Sequence, residues 1–312
     1  MRIFRRARVE SAMLKKRGAS LLPLIALFFL PALAAAQTAG AAASGATDVE
    51  RGAYLTAAGG CYGCHTDVKN GGQPFAGGRA IESPFGTFYS PNITGDTETG
   101  IGGWSDTDFL RALKEGISPA GHYLFPAFPY TSYTKMTDAD ALAIKAYLMS
   151  LPPVAAENRR HDLPAPFSWR WLQWGWRLLF FDAGPFQPPA GASEAVARGG
   201  YLVEALAHCG ECHTPRNMLG GLKRDRYLGG TANGPDGERV PNITPDTASG
   251  IGDWSEGDIV TLLREGMMPD FDNVQGSMAE AIEHGLSKLT DADLEAIAAY
   301  LKSIPPLGSE KQ

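Results

Sequence analysis

The sequence predicts an all-α protein of two tandem helical domains joined by a tryptophan-rich segment. The first observation is an internal duplication, because the strings PNIT and GIG-x-W within positions 91–104 return within positions 241–254. The second is that each copy contains stretches with the apolar spacing of a helix, separated by long loops rich in Gly and Pro. Matching segments at a nearly constant offset indicate two homologous domains.

The first helix of each copy carries a glycine and a tyrosine in the same relative positions. Gly52 and Tyr54 in the first copy correspond to Gly199 and Tyr201 in the second. Glycine has no Cβ atom, so it allows another backbone to approach closely. We therefore expect the first and last helices of each copy to cross closely.

Capping and breaking signals mark the later helices. Apolar residues at helical spacing predict a middle helix over 106–115 and its counterpart over 256–265. The last helix of each copy opens with the T-x-x-D pattern of a capping box, at Thr137 and at Thr290. Proline cannot continue a helix, so both last helices should end before the proline pairs that follow them.

A segment without a counterpart in the other copy separates the two domains. The duplication assigns residues 37–153 to the first domain, 154–191 to this linker and 192–312 to the second domain. Four of the six tryptophans of the chain lie within 169–176. We expect a helix here that wedges between the domains and fills their interface. The alternative is a surface aromatic patch that docks a partner or lies at a membrane interface.

All four cysteines of the chain fall in two C-x-x-C-H motifs. The residues of these motifs are Cys61, Cys64 and His65 in the first copy, and Cys209, Cys212 and His213 in the second. This spacing is the attachment signature of c-type haem, in which the thiols bond to the haem vinyl groups and the imidazole binds the iron. A zinc half-site, a redox dithiol or a pair of disulfides would not explain both histidines and the matched spacing. The sequence therefore predicts two covalently bound haem c groups.

The first 36 residues have the features of a cleavable signal peptide. Lys15, Lys16 and Arg17 precede an apolar run over 21–33, and three alanines at 34–36 match a signal-peptidase site. The apolar run is shorter than the ~20 residues that a helix needs to span a bilayer. We expect export to the periplasm, which haem attachment of this kind requires.

The chain without this leader is acidic. Residues 37–312 hold 21 Lys+Arg and 33 Asp+Glu, a net charge of about −12. This balance argues against nucleic acid and anionic lipid as partners, and it suits docking to a basic patch on another protein.

An electron-transfer haem needs a second axial ligand, and a Met thioether in that position raises the reduction potential. In the second copy, Met278 lies in what reads as a flexible loop before Thr290. We expect Met278 to be the ligand, in preference to Met267 and Met268, which directly follow the middle helix.

The first copy offers a less regular choice. Met136 is the only Met between the first motif and the last helix, and we expect it to be the axial ligand. His122 and an open position are the alternatives. The isolated histidines His161, His208 and His284 are expected to be surface residues without a role.

These residues resemble the multi-haem cytochrome c subunits of periplasmic alcohol, gluconate and related membrane-associated dehydrogenases. Nearly the whole chain after the leader shares the likeness, which is carried by both C-x-x-C-H motifs, SPFGT at 83–87, both PNIT strings, the FPAFPY loop at 125–130 and AYL in both last helices. The resemblance implies a class I cytochrome c fold for each domain. It also implies that Asn92 and Asn242 hold loop structure near a haem edge.

Two departures from that family bear on the first domain and on the assignment of a partner. Family members often carry Met at the place of Phe128, and they commonly have three haems, against two motifs here. The first departure moves the expected sixth ligand to Met136 or His122.

The implied function is electron transfer without substrate chemistry of its own. We expect electrons to arrive from a dehydrogenase catalytic subunit that uses a quinone, flavin or molybdenum cofactor, and to leave to a downstream acceptor of the respiratory chain. Attachment to the inner membrane through that partner is a further expectation. The alternative function is a di-haem oxidoreductase that acts on peroxide or a sulfur oxyanion at an open haem in the first domain.

Overall fold

Two copies of the same helical arrangement follow one another along the chain. The computed structural model describes residues 47–234 and 237–308, so the predicted signal peptide at 1–36 lies outside the described residues. The first copy comprises α1 (Asp48–Ala58), α2 (Cys61–His65), β1 (Ala80–Ser83), β2 (Gly86–Tyr89), α3 (Asp106–Glu115), α4 (Tyr130–Tyr133) and α5 (Asp138–Ser150). After α6 (Leu172–Phe180), the second copy comprises α7 (Glu194–Tyr201), α8 (Gly210–His213), α9 (Glu256–Glu265), α10 (Gly276–His284) and α11 (Asp291–Ser303).

The predicted middle and last helices are confirmed. Helices α3 and α9 span the predicted ranges. A serine caps each helix directly before its first residue: the Ser105 hydroxyl accepts from the Asp108 N–H, and the Ser255 hydroxyl accepts from the Asp258 N–H. Helices α5 and α11 end before the proline pairs, as the missing N–H of proline requires.

The all-α expectation needs one correction, because the first copy contains a two-stranded antiparallel sheet. In it, Ile81 pairs with Phe88 and Ser83 with Gly86. The turn between the strands is tight, since Gly86 has a φ of +117° and its carbonyl accepts a hydrogen bond from the Ser83 hydroxyl at 2.7 Å. At the corresponding place, the described part of the second copy has only an isolated bridge between Thr231 and Val240. The fold is therefore mostly helical, with one small sheet added to the first copy.

The first and last helices of each copy cross backbone to backbone. A Cβ atom built on Gly52 would lie 1.9 Å from the carbonyl oxygen of Ala143 in α5. A Cβ atom built on Gly199 would lie 1.8 Å from the carbonyl oxygen of Ala296 in α11. The predicted close crossing is confirmed in both copies, and no residue with a side chain fits at either glycine.

The last helix of the first copy is capped partly by a tyrosine of the second copy. The Thr137 hydroxyl accepts from the Asp140 N–H at 3.1 Å, as the T-x-x-D pattern predicts. The hydroxyl of Tyr201 takes the place of the reciprocal bond of a capping box, which would run from the Thr137 N–H to the Asp140 carboxylate. This hydroxyl accepts from the Thr137 N–H at 3.1 Å and donates to the Asp140 carboxylate at 2.5 Å.

The second copy repeats this arrangement with a tyrosine of the first copy. The Tyr54 hydroxyl accepts from the Thr290 N–H at 3.2 Å and donates to the Asp293 carboxylate at 2.6 Å. Arg198 then donates to both oxygens of Asp293, at 2.8 and 2.7 Å, and Arg51 donates two N–H groups to Asp140. The T-x-x-D pattern therefore forms only one of the two hydrogen bonds of a capping box, the one accepted by the Thr hydroxyl. The other is absent because each Asp carboxylate binds an arginine of its own copy and a tyrosine of the opposite copy. We call these two groups of residues the reciprocal clamps.

The expected helix is present as α6 and contacts both copies, but it lies on their surface and does not fill the interface between the domains. The indole N–H of Trp176 donates to the carbonyl of Leu219 in the second copy at 2.9 Å, and Arg177 donates to the carbonyl of Glu115 in the first. No residue of α6 is buried. The space between the copies is already filled by α4 and by the buried segment 202–206, which contact each other directly.

Six large apolar side chains of the linker at 154–191 are exposed: Phe167, Trp169, Trp171, Trp174, Leu178 and Leu179. Within the described ranges, no helix combines the length and the apolar character needed to cross a membrane.

We predict that Gly52→Ala lowers the free energy of unfolding by about 3 kcal/mol, because the added methyl group would force α1 away from α5. Gly175→Ala is the matched control, since Gly175 lies in α6 and a methyl group added there would have no atom within 4 Å. That variant should be neutral or more stable by up to about 1 kcal/mol, because Ala favours a helix over Gly. Chemical unfolding followed by circular dichroism measures both, and equal stabilities of the two variants would contradict the close crossing.

We predict that Asp293→Asn lowers the free energy of unfolding at neutral pH by about 2 kcal/mol, the range found for charged hydrogen bonds. Burial opposes the charged form of Asp293, yet the hydrogen bonds from Arg198 and Tyr54 hold the pKa of its carboxyl below the usual range. Such a group stabilises the folded state above its unfolded-state pKa of ~4, and this stabilisation is lost as the pH falls through the folded-state pKa.

The variant should therefore lose less stability than the unmodified protein between about pH 5 and pH 2. Asp138→Asn serves as the control, because Asp138 is an exposed carboxylate in the same helix as Asp140 and pairs with Lys114. Identical pH dependence of unfolding in the Asp293 variant and the unmodified protein would count against the clamp.

Candidate haem-binding sites

Each C-x-x-C-H motif forms a short helical turn, separated by two residues from α1 in the first copy and from the helical segment 202–206, which continues α7, in the second copy. The turn is entered through a residue in the left-handed conformation, Gly60 with φ of +62° before Cys61 and His208 with φ of +41° before Cys209. None of the four cysteines forms a disulfide. The crossing of the first and last helices therefore places two unpaired sulfur atoms and an imidazole on one turn in each copy.

A backbone carbonyl orients the imidazole of each motif. Nδ1 of His65 lies 2.8 Å from the carbonyl oxygen of Pro91, and Nδ1 of His213 lies 2.8 Å from that of Pro241. A carbonyl oxygen can only accept, so Nδ1 carries the hydrogen and Nε2 keeps its lone pair for a metal. Burial lowers the pKa of both imidazoles, against the opposing effect of the carbonyl bond, and so favours the neutral form that binds iron.

The loop that supplies the Pro91 carbonyl is held by Asn92. The Asn92 side-chain oxygen accepts from the N–H of Thr94 at 2.9 Å and from its hydroxyl at 2.8 Å. Its NH₂ group donates to the carbonyl of Val154 at 2.7 Å and to the hydroxyl of Thr99 at 3.0 Å. One buried side chain thus ties the PNIT string to the chain that follows α5.

Asn242 makes the equivalent contacts in the second copy. It accepts from the N–H and the hydroxyl of Thr244 at 2.9 and 2.7 Å, and donates to the Leu307 carbonyl at 2.6 Å and to the Ser249 hydroxyl at 3.1 Å. The expectation that both asparagines hold loop structure is confirmed. Their function is to fix the carbonyl that orients the motif histidine.

The surroundings of the cysteine sulfur atoms favour uncharged thioethers over charged thiolates. Burial raises the pKa of the Cys61 and Cys209 thiols to about 12 and that of Cys212 to about 11. A redox dithiol or a zinc site needs thiolates at neutral pH, which this environment disfavours. A thioether carries no charge and suits the same surroundings, so the residues present fit a covalently attached haem.

The candidates for the sixth ligand of the first copy differ in burial. Met136 follows α4 and is 1% exposed, whereas His122 lies in an exposed turn. The ring of Phe128 packs 5.6 Å from the ring of Tyr133. Phe128 therefore serves as a packing residue beside the segment that carries Met136.

Met278 lies in the first turn of α10, so the expectation that it sits in a flexible loop is wrong. The pair Gly276-Ser277 is typical of a loop. In the structure Gly276, with φ of +62°, is the first residue of α10, and the helix-favouring residues Ala279 and Glu280 follow Met278. Met278 is half-buried and packs against the hydrophobic core.

Three histidines expected to be surface residues contact other residues instead. The ring of His208 lies 5.5 Å from that of Tyr133, and the ring of His284 lies 4.9 Å from that of Tyr62. His161 accepts a hydrogen bond from the Tyr89 N–H at 3.1 Å. Each partner is more than 70 residues away along the chain, so no local sequence signal could have identified these contacts.

The site in each copy is that of a c-type cytochrome domain: a C-x-x-C-H turn with two cysteines outside any disulfide, and an imidazole whose Nε2 is left free because Nδ1 binds a backbone carbonyl. Comparison with known families agrees with this geometry. The sequence model of the Cytochrome c family matches residues 49–152 and again 196–305. The chain belongs to the cytochrome c family, and it carries two covalently bound haem c groups, one in each domain.

Several curated proteins are similar to the chain over most of its length. The diheme cytochrome c-type protein of Cereibacter sphaeroides is 43% identical over 265 residues, which cover 83% of this chain and 87% of that protein. The gluconate 2-dehydrogenase cytochrome c subunit of Pantoea cypripedii is 46% identical over 264 residues, covering 82% of this chain and 59% of that protein. The fructose dehydrogenase cytochrome subunit of Gluconobacter japonicus is 43% identical over 259 residues, covering 82% of this chain and 52% of that protein. The chain thus spans between half and three fifths of the length of these two dehydrogenase subunits.

We predict that Asn92→Ala lowers the free energy of unfolding of the haem-loaded protein by about 3 kcal/mol, because the Thr94 N–H and the Val154 carbonyl lose their buried partner. Asn70→Ala is the control, since Asn70 is exposed and its side chain bonds to the neighbouring Asp67. Chemical unfolding of both variants provides the measurement. A loss no larger than that of the control would show that the loop does not depend on Asn92.

Proposed function

We propose that the protein is a periplasmic di-haem electron carrier that accepts electrons from a dehydrogenase catalytic subunit and passes them to the respiratory chain. The observation that carries this proposal is the presence of two complete C-x-x-C-H sites in a chain similar to the cytochrome subunits of gluconate and fructose dehydrogenases. Bound haem c supplies a reversible one-electron couple at each site.

His65 and His213 would each offer a ring nitrogen to the haem iron of their own domain. The carbonyls of Pro91 and Pro241 fix the orientation of these rings. A ligand held in one orientation moves little between oxidation states, which favours rapid electron exchange. The chain has no substrate chemistry of its own in this proposal.

We assign Met278 and Met136 as the sixth ligands of the second and first haem. The burial of Met136 supports it over the exposed His122. An open position in the first domain is the remaining alternative. With a thioether on each iron, both haems would have the higher reduction potentials that suit passage of electrons toward a terminal acceptor.

The partner is a catalytic subunit with a quinone, flavin or molybdenum cofactor. The net charge of about −12 over residues 37–312 supports docking to a basic surface. The proposal includes cleavage of a signal peptide at 1–36, domains over 37–153 and 192–312 with the tryptophan-rich linker between them, and attachment to the inner membrane through the partner.

The alternative of a di-haem oxidoreductase for peroxide or a sulfur oxyanion has no supporting observation. The relatives reported above are a diheme cytochrome and cytochrome subunits of dehydrogenases.

We predict that Met278→Leu and Met136→Leu each remove one haem-bound methionine methyl signal from the proton NMR spectrum of the reduced protein. Leucine keeps the apolar volume and removes the thioether, so a loss of the signal reports ligation rather than packing. Met268→Leu is the control for the second copy and should leave both signals in place. Persistence of both signals in either ligand variant would overturn the assignment of that residue.

The carrier function predicts that the protein isolated under mild conditions from its native periplasm retains a dehydrogenase catalytic subunit. Addition of that enzyme's substrate should reduce both haems, as followed by their visible absorption bands, and substrate without the catalytic subunit should not. Gluconate and fructose form the first panel, taken from the names of the two dehydrogenase subunits reported above. Peroxide consumption by the resting protein would favour the alternative function instead.

A further inference from the structure

The helix that carries Met278 rests on the haem-attachment turn of the other copy. Arg79 of the first copy forms an ion pair with Glu280 of α10 at 2.6 Å. The same guanidinium donates to the carbonyl of Gly63, inside the first C-x-x-C-H motif, at 2.6 Å. Tyr62 of that motif also packs against His284 at the end of α10. The middle and the end of α10 are thus both held by the first attachment turn.

The segment that carries Met136 rests in turn on the attachment turn of the second copy. Thr131 and Ser132 of α4 donate to the carboxylate of Glu211, inside the second C-x-x-C-H motif, at 2.8 and 3.0 Å. Lys135, the residue before Met136, forms an ion pair at 2.5 Å with Glu204, which precedes that motif. The two arrangements are reciprocal, although they use different side chains.

The two attachment turns themselves adjoin. A Cβ atom on Gly59, two residues before Cys61, would lie 3.9 Å from the carbonyl oxygen of Leu206, three residues before Cys209. Tyr133 donates its hydroxyl to the carbonyl of Gly59 at 3.0 Å and packs its ring against His208. The interface between the copies is therefore built from the motif regions and from the segments that carry the proposed sixth ligands.

We propose that each haem-attachment turn positions the sixth ligand of the other haem, so that Arg79 of the first domain holds Met278 on the iron of the second. This inference rests on the proposed ligation by Met278. Two independent cytochrome domains would support each axial ligand from within the same domain. Here the ion pair of Arg79 and Glu280 connects a carbonyl of one motif to the helix that presents the ligand to the other site.

The consequence is a coupling between the two sites that does not require any change in either set of covalent ligands. Loss of the ion pair frees α10 to move away from the second iron for part of the time. An added ligand such as imidazole competes with the thioether for that iron, so its apparent affinity rises with the fraction of open sites. Arg79 is a positioning residue in this scheme, since it acts on Met278 through Glu280.

The test measures imidazole binding to the oxidised holoprotein and the methionine methyl signals of the reduced holoprotein in Arg79→Gln, Glu280→Gln and the double variant. We expect imidazole affinity at the second haem to rise by up to about fivefold in each single variant, the upper end of the range for a partly exposed ion pair. The double variant should resemble the single ones, because both substitutions break the same contact. Glu280→Asp should restore part of the unmodified behaviour.

Glu283→Gln is the matched control, because Glu283 is an exposed acid one turn away from Glu280 on the same helix. Met278→Leu identifies the methyl signal and the imidazole site that belong to the second haem. The coupling would be overturned if imidazole affinity at the second haem changed no more in the Arg79 and Glu280 variants than in the control. That outcome would leave Met278 as the ligand. Persistence of the methyl signal in Met278→Leu would overturn the ligand assignment, and with it this inference.

Discussion

In each domain the first and last helices touch backbone to backbone, and this contact places everything that binds haem. Gly52 and Gly199 leave no room for a Cβ atom against the carbonyls of α5 and α11. Two residues separate the C-x-x-C-H motif from α1 in the first copy and from the helical segment 202–206, which continues α7, in the second, so the crossing sets the position of the sulfur atoms and the imidazole. The last helix also leads to the chain that Asn92 and Asn242 bind, so the same contact fixes the carbonyl that orients each histidine.

The reciprocal clamps link the two copies by hydrogen bonds at both last helices. A tyrosine hydroxyl can donate and accept at once, so Tyr54 and Tyr201 each replace the missing half of a capping box and donate to a buried carboxylate of the opposite copy. Arg51 and Arg198 complete the charge balance. A buried carboxylate is costly unless it is paired, so these residues favour the assembled form over two separated domains.

Local signals in the sequence predicted most of the helical framework. The T-x-x-D pattern, proline pairs and apolar spacing act over a few residues, so the ranges of α3 and α9 and the ends of α5 and α11 follow from them. The position of α6 did not follow, because a run rich in Trp and Leu is equally compatible with a buried interface and with an exposed face. The location of Met278 in a helix was also missed, since Gly276 and Ser277 are typical of loops.

The chemistry of attachment could be read from five consecutive residues in each copy, because the thiol spacing and the adjacent imidazole are covalent features of the chain. The arrangement of the two sites relative to each other could not be read in this way. Tyr54 binds Asp293 across 239 residues, and Arg79 reaches Glu280 across a comparable separation. Such contacts depend on the folded surfaces of both domains meeting in one orientation, and hydrogen-bond and ion-pair geometry between distant segments leaves no periodic or local pattern in the sequence.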